Sequence, residues 1–215
     1  MRKLTGPTVW SMVHDERRAL VRDLEKLEGA EWETPSLCPG WAVHDVLAHL
    51  VDTAKTNRRS FVRRMISARF DFDKDNETGL RCERRADPAG TLAAMRASIE
   101  LTCTPPATIA TRLVEAFVHG EDIRQPLGIS ASYPIDGVVA ALDYQLGTSV
   151  SMGGGKQRGQ GVRLKATDAD YAKGRGPEVR GSAIDLLLAV SGRSVKTGAL
   201  RGAGLPLLSA DGESL

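Results

Sequence analysis

Three things are scarce in this 215-residue sequence: cysteine, net charge and long apolar runs. Only three cysteines occur, Cys38, Cys82 and Cys103, widely spaced and odd in number. They form no CxxC pair and no disulfide framework, which fits a reducing compartment, and no local cue marks any of them as a nucleophile. They read as buried or incidental thiols. The 29 Lys and Arg nearly balance 27 Asp and Glu, leaving a net charge of +2. Such a balance argues against a nucleic-acid or anionic-membrane surface. No apolar stretch approaches the ~20 residues that span a bilayer. Arg2 and Lys3 are followed by Asp15, Glu16 and further arginines rather than by the apolar core of a signal peptide. A cytoplasmic protein is expected.

Glycine is plentiful but uneven. Nine of the 22 fall in residues 1–150 and 13 in the last 65, with a cluster from Gly153 to Gly161 that reads as a flexible linker or a loop ordered only locally. The expected domains are therefore residues 1–150 and 160–215. The first reads as helices. Pro7 opens a helix running to about Lys26, and Ser36-Leu-Cys-Pro-Gly-Trp41 is a turn. A second helix follows to about Met65, with Asp45 near its third position, where a carboxylate faces the helix dipole. Residues 71–87 are charged and read as a solvated loop or lid. Asp87-Pro88 starts a third helix reaching Leu101, a fourth covers about 107–123, and a fifth runs from Pro134 to Leu146. Helices joined mostly by short loops make a bundle. After residue 160 the period changes: Val162, Leu164 and Ala166 alternate with charged residues, and Ser182 to Val190 is a short apolar helix. This is a small α+β appendage.

Glu115 and His119 are four apart on the fourth helix and share a face. His49 lies on the second, five residues after His44 and so about 140° around the helix from it. A carboxylate and two imidazoles from facing helices are a common zinc set, and three protein ligands leave coordination positions open, as catalytic sites do. The same donors suit iron, nickel or manganese. Spacing alone equally admits a solvent-facing Glu115–His119 pair, because the main apolar stripe of that helix is Ile109, Leu113, Ala116 and Phe117. His14 and His44 read as ordinary helix-surface or helix-start histidines.

Three stretches carry a resemblance. Leu37-Cys-Pro-Gly-Trp41-Ala-Val-His-Asp45-Val-Leu-Ala-His49-Leu and Glu115-Ala-Phe-Val-His119-Gly-Glu-Asp122-Ile-Arg124-Gln-Pro-Leu-Gly128 resemble the two metal motifs of the mycothiol-dependent maleylpyruvate isomerase family. Val162 to Asp168 with Gly176 to Arg193 is similar to that family's small C-terminal domain, a relative of sterol-carrier folds. In two places the sequence departs: Ala42 stands where Ser or Thr often caps the helix, and His44 where arginine is usual. The resemblance implies a mainly α protein, a DinB-like four-helix bundle with an α+β appendage, holding a divalent ion, zinc first, through His49, Glu115 and His119. It implies mycothiol, a thiol made by actinobacteria, as cosubstrate, and isomerisation or thiol transfer on a small electrophilic substrate, in a monomer or homodimer. A non-catalytic metal-binding or stress-response protein of the same fold is the alternative. Asp45 and Asp122 are candidates to orient a liganding imidazole, and Arg112 and Arg193 to bind substrate carboxylates.

Overall fold

A computed structural model describes residues 4–208. They form two compact units, Thr5–Ser132 and a second beginning at Tyr133. The chain is mainly helical, with a small sheet near its C-terminus. Among the described residues no helix is long and apolar enough to cross a membrane.

The first unit is built on four helices: α1 (Gly6–Leu24), α2 (Val43–Lys55), α5 (Pro88–Ala97) and α6 (Thr111–Arg124). Helix α2 packs on both α5 and α6, and α1 on the same two partners. Thr5 caps α1 by accepting from the Thr8 N–H, and Asp87 caps α5 through the Ala89 N–H with Pro88 in the first turn. Leu20, Leu24, Val46, Leu47, Met95 and Ile123 fill the core. The buried stripe of α1 is not purely apolar: Glu16 and Arg17 lie between Val13 and Leu20 and are buried with them.

Two expectations change here. The long second helix is two helices, because Thr56-Asn57 interrupts it: Asn57 accepts from Arg59 N–H and Ser60 N–H and so starts α3 (Arg58–Ser67). The charged stretch read as a loop contains α4 (Phe72–Glu83), reached through Arg69 and Phe70 in left-handed conformation. Its charges gave no apolar period, yet Asp75 and Leu80 are buried against the rest of the unit. Arg64 of α3 binds it in place, donating to both Asp52 of α2 and Asp75 of α4.

In the second unit α7 (Ile135–Gly147) packs on α8 (Ala183–Val190), although its position before the glycine cluster had grouped it with the bundle. Strands β1 (Arg163–Ala166), β2 (Ala172–Gly174) and β3 (Glu178–Gly181) form a sheet of order β2-β1-β3, antiparallel between β1 and β2 and parallel between β1 and β3. The inward residues Leu164, Ala166 and Val179 give the alternation seen in the sequence. The glycine cluster is not a free linker: a Cβ at Gly155 would stand 2.2 Å from the carbonyl oxygen of Val190.

One position tests the packing of α4. Gly79 lies within that helix, where Ala ordinarily gains ~0.5–1 kcal/mol. A Cβ there would fall 2.3 Å from Asp52 Oδ2 and 2.6 Å from Arg64 Nη2. Gly79→Ala is therefore expected to destabilise by about 1–3 kcal/mol in urea unfolding, and an unchanged or raised midpoint would contradict this packing.

Candidate metal centre

The centre is built where α2 meets α6, and the turn before α2 closes one side of it. Ser36 Oγ donates to the Trp41 carbonyl at 2.7 Å and accepts from the Cys38 N–H at 3.1 Å, while Trp41 N–H donates to the Cys38 carbonyl. The Leu37 N–H donates to the Asp122 carbonyl, joining this turn to the C-terminal part of α6. Asp45 accepts from the Ala42 N–H at 2.9 Å, so the missing Ser or Thr cap is offset by the reciprocal half of a capping box.

His49, Glu115 and His119 come together. His49 Nε2 is 3.4 Å and His119 Nε2 3.5 Å from the same Glu115 oxygen, Oε2. One donor atom from each of the three lies within 4.8 Å of the others. The imidazoles meet edge to face at 4.8 Å, and the Trp41 indole sits 5.1 Å from His49. Glu115 and His119 thus face inward, and the solvent-facing alternative for this pair does not hold. His119 Nδ1 donates to Asp122 Oδ2 at 2.8 Å, which turns Nε2 towards Glu115.

The electrostatics are those of a charged, largely buried site. Burial favours a neutral Glu115, but the close approach of His49 and the charges of His119, His49 and Arg112 outweigh it, leaving the carboxyl well below its usual range. Burial also opposes charge on His119, yet its bonds to Asp122 and Cys38 and the nearby carboxylate push it up to about 10. His49 goes the other way: burial lowers its pKa, helped by the charge of His119. The donor set fits a divalent cation. Glu115 is anionic and its buried Oε2 has no hydrogen-bond partner; His49 can present a neutral nitrogen; and a cation competes with the proton for His119 Nε2.

The other expected residues divide. Asp122 does orient a site imidazole. Asp45 does not: besides capping α2 it accepts from Arg84 at 2.7 Å. His44 is not on the surface but buried, with Nε2 2.8 Å from Thr91 Oγ1, because α5 covers that face of α2. Arg112 is buried beside Glu115, whereas Arg193 belongs to the second unit and donates to the Ser191 carbonyl. Sequence reasoning missed Cys38. Its thiol donates to Asp122 Oδ2 at 3.1 Å and lies 3.8 Å from His119 Nδ1, so one carboxylate oxygen serves both side chains. Cys38, His119 and Asp122 also form a second group of potential ligand atoms, with His119 common to both. Only the tight Ser36–Trp41 turn, legible as Pro-Gly, hinted that Cys38 was held in a defined place.

A carboxylate and two imidazoles on the inner walls of a helical bundle define a helical-bundle protein with a candidate divalent-metal centre. Residues 13–104, somewhat less than half of the chain, match the mycothiol maleylpyruvate isomerase N-terminal domain family. That stretch includes His49 and ends before Glu115 and His119. Crystal structures of the mycothiol-dependent maleylpyruvate isomerase and of a histidine-to-alanine mutant of it share the fold, with TM-scores of 0.62 and 0.64. In each case 93% of both chains is covered at 15% identity. No curated protein matches the chain in sequence.

The thiols should separate by accessibility. Cys82 is exposed and Cys38 buried. Brief alkylation of the native protein followed by peptide mass spectrometry is expected to label Cys82 well before Cys38; comparable labelling of Cys38 would count against its seat behind Asp122.

Proposed function

We propose that His49, Glu115 and His119 hold a divalent metal ion, zinc first among the candidates with nickel, iron and manganese compatible. We further propose that the protein uses a low-molecular-weight thiol, mycothiol, for isomerisation or thiol transfer on a small electrophilic substrate. The observation that carries this reading is the convergence of two imidazole nitrogens on one buried carboxylate oxygen that no hydrogen bond satisfies, within a fold like that of a mycothiol-dependent maleylpyruvate isomerase.

A divalent ion bound there supplies Lewis acidity, which favours the thiolate form of a thiol that is otherwise mostly protonated near neutral pH. The chain's own residues do the rest. Asp122 holds the His119 Nδ1 proton and fixes which nitrogen points inward, and such partners typically change metal affinity about 10–100-fold. Trp41 packs against His49 on one side of the centre. The cosubstrate's thiolate adds to an activated double bond of the substrate. Rotation about the resulting single bond and expulsion of the thiolate complete an isomerisation. Retention of the new carbon–sulfur bond with proton uptake at the neighbouring carbon completes a transfer.

Metal analysis tests the ligands. About one divalent ion per chain is expected, lost or greatly weakened in His49→Ala, Glu115→Ala and His119→Ala and retained in His44→Ala. Metal kept by all three ligand variants would remove the site. The cobalt form tests the role: saturating mycothiol is expected to produce a sulfur-to-cobalt charge-transfer band that is absent in His119→Ala. An unchanged spectrum would rule out thiol activation and leave the non-catalytic metal-binding reading.

A further inference from the structure

Beside Glu115 the first unit contains a cavity lined by Glu16, Arg17, Leu50, Thr53 and Arg112, among others. Arg17 and Arg112 are 6% and 4% exposed. A charge taken out of water ordinarily has an opposite charge against it, because desolvating an ion alone is costly. The acids of this cavity have such company: Glu16 pairs with Arg124, and Glu115 lies between two imidazoles. The two arginines have no such direct contact: the charge of Arg112 acts on Glu115 and that of Glu100 on Arg17, but among the described residues neither arginine forms an ion pair. Arg17 Nη1 donates to the carbonyls of Ser98, Ile99 and Leu101 at 3.2, 3.0 and 2.8 Å. Arg112 Nη1 donates to the Thr53 carbonyl at 3.0 Å, and its buried Nε has no partner. Burial and then the charge of Arg112 hold the Arg17 pKa down at about 10, still cationic near neutrality.

In both side chains it is Nη1 that is engaged. What remains is the edge formed by Nε and Nη2, the two-pronged edge of a guanidinium that matches the two oxygens of a carboxylate. We propose that Arg17 and Arg112 form a carboxylate-binding subsite that seats the anionic end of the substrate beside Glu115. Assigning the carboxylate to the substrate rests on the proposed function; the missing counter-ion does not. The acids nearby narrow the ligand class. A phosphate dianion would meet the carboxylates of Glu16 and Glu115 at close range, whereas a singly charged carboxylate adds less repulsion.

The test uses the whole protein freed of metal by chelation, so that it does not depend on the metal centre. Acetate and acrylate are titrated calorimetrically and by thermal melting at constant ionic strength, with chloride and phosphate as controls. Saturable binding of both carboxylates is expected, with a rise in melting temperature that neither control reproduces. Arg112→Gln should weaken carboxylate binding at least tenfold while the reloaded variant keeps the wild-type metal content. Without ligand it should melt no lower than wild type, because a buried cation without a direct ion pair has been removed. If Arg112→Gln does not fold, Arg112→Lys keeps the charge, loses the fork and should still bind several-fold more weakly. Carboxylates no better than chloride, or wild-type affinity in a folded Arg112 variant, would overturn the subsite. Wild-type protein that binds acetate through Arg112 but never loads metal would support the subsite and sink the proposed function instead.

Discussion

Charge buried along α6, and the need to answer it from neighbouring helices, governs the first unit. Arg112, Asp122 and Arg124 are almost without solvent contact on one fourteen-residue helix, which also carries the partly buried Glu115 and His119. Each isolated charge would cost several kcal/mol, so the packing of α1 and α2 against α6 is set by polar matches as well as by apolar fit. Arg124 is fully buried and bound by Glu16 at 2.5 Å and Asp23 at 2.8 Å, which fixes how α1 lies on α6. His49 of α2 answers Glu115, and Asp122 answers His119. The candidate metal centre continues this seam rather than interrupting an apolar core.

The helical class and the β-strand alternation were legible from local period, and the three converging side chains only through the family resemblance of the stretches that carry them. Helix α4 was not, since its sequence is charged and its burial comes from the Arg64 bridge between Asp52 and Asp75, a contact among three helices. His44 does stand at a helix start, but its burial went unseen for a related reason: it depends on α5, whose position over α2 no local pattern states. Glu16 and Arg17 did leave a trace. They occupy inward positions between Val13 and Leu20, and charge within an apolar stripe is itself a sign of a partnered interior. The inward turn of Glu115 could not be decided from spacing, because the apolar residues of α6 favour the opposite side and only the facing helix supplies the reason to turn.

Cys38 shows how closely the turn before α2 is tied to the centre. The Leu37 N–H bond to the Asp122 carbonyl and the Cys38 thiol bond to the Asp122 carboxylate anchor one short segment at two points on the same residue. Asp122 in turn holds His119, so the position of the turn and the orientation of an imidazole are linked through one aspartate. A thiol there is a weak donor, and it leaves most of the carboxylate's negative charge to the imidazole.

The glycines after α7 carry a practical consequence for anyone dissecting the chain. Gly154 and Gly155 pass so close to the Thr148 and Val190 carbonyls that the segment serves as packing between α7 and α8. A protein shortened at residue 150 would keep α7 while discarding the helix that covers it, leaving Val138, Val139 and Leu142 bare. The chain's more natural seam for making separate halves lies at Ser132–Tyr133, and the glycine run is a poor place for a tag, a cleavage sequence or a fused partner.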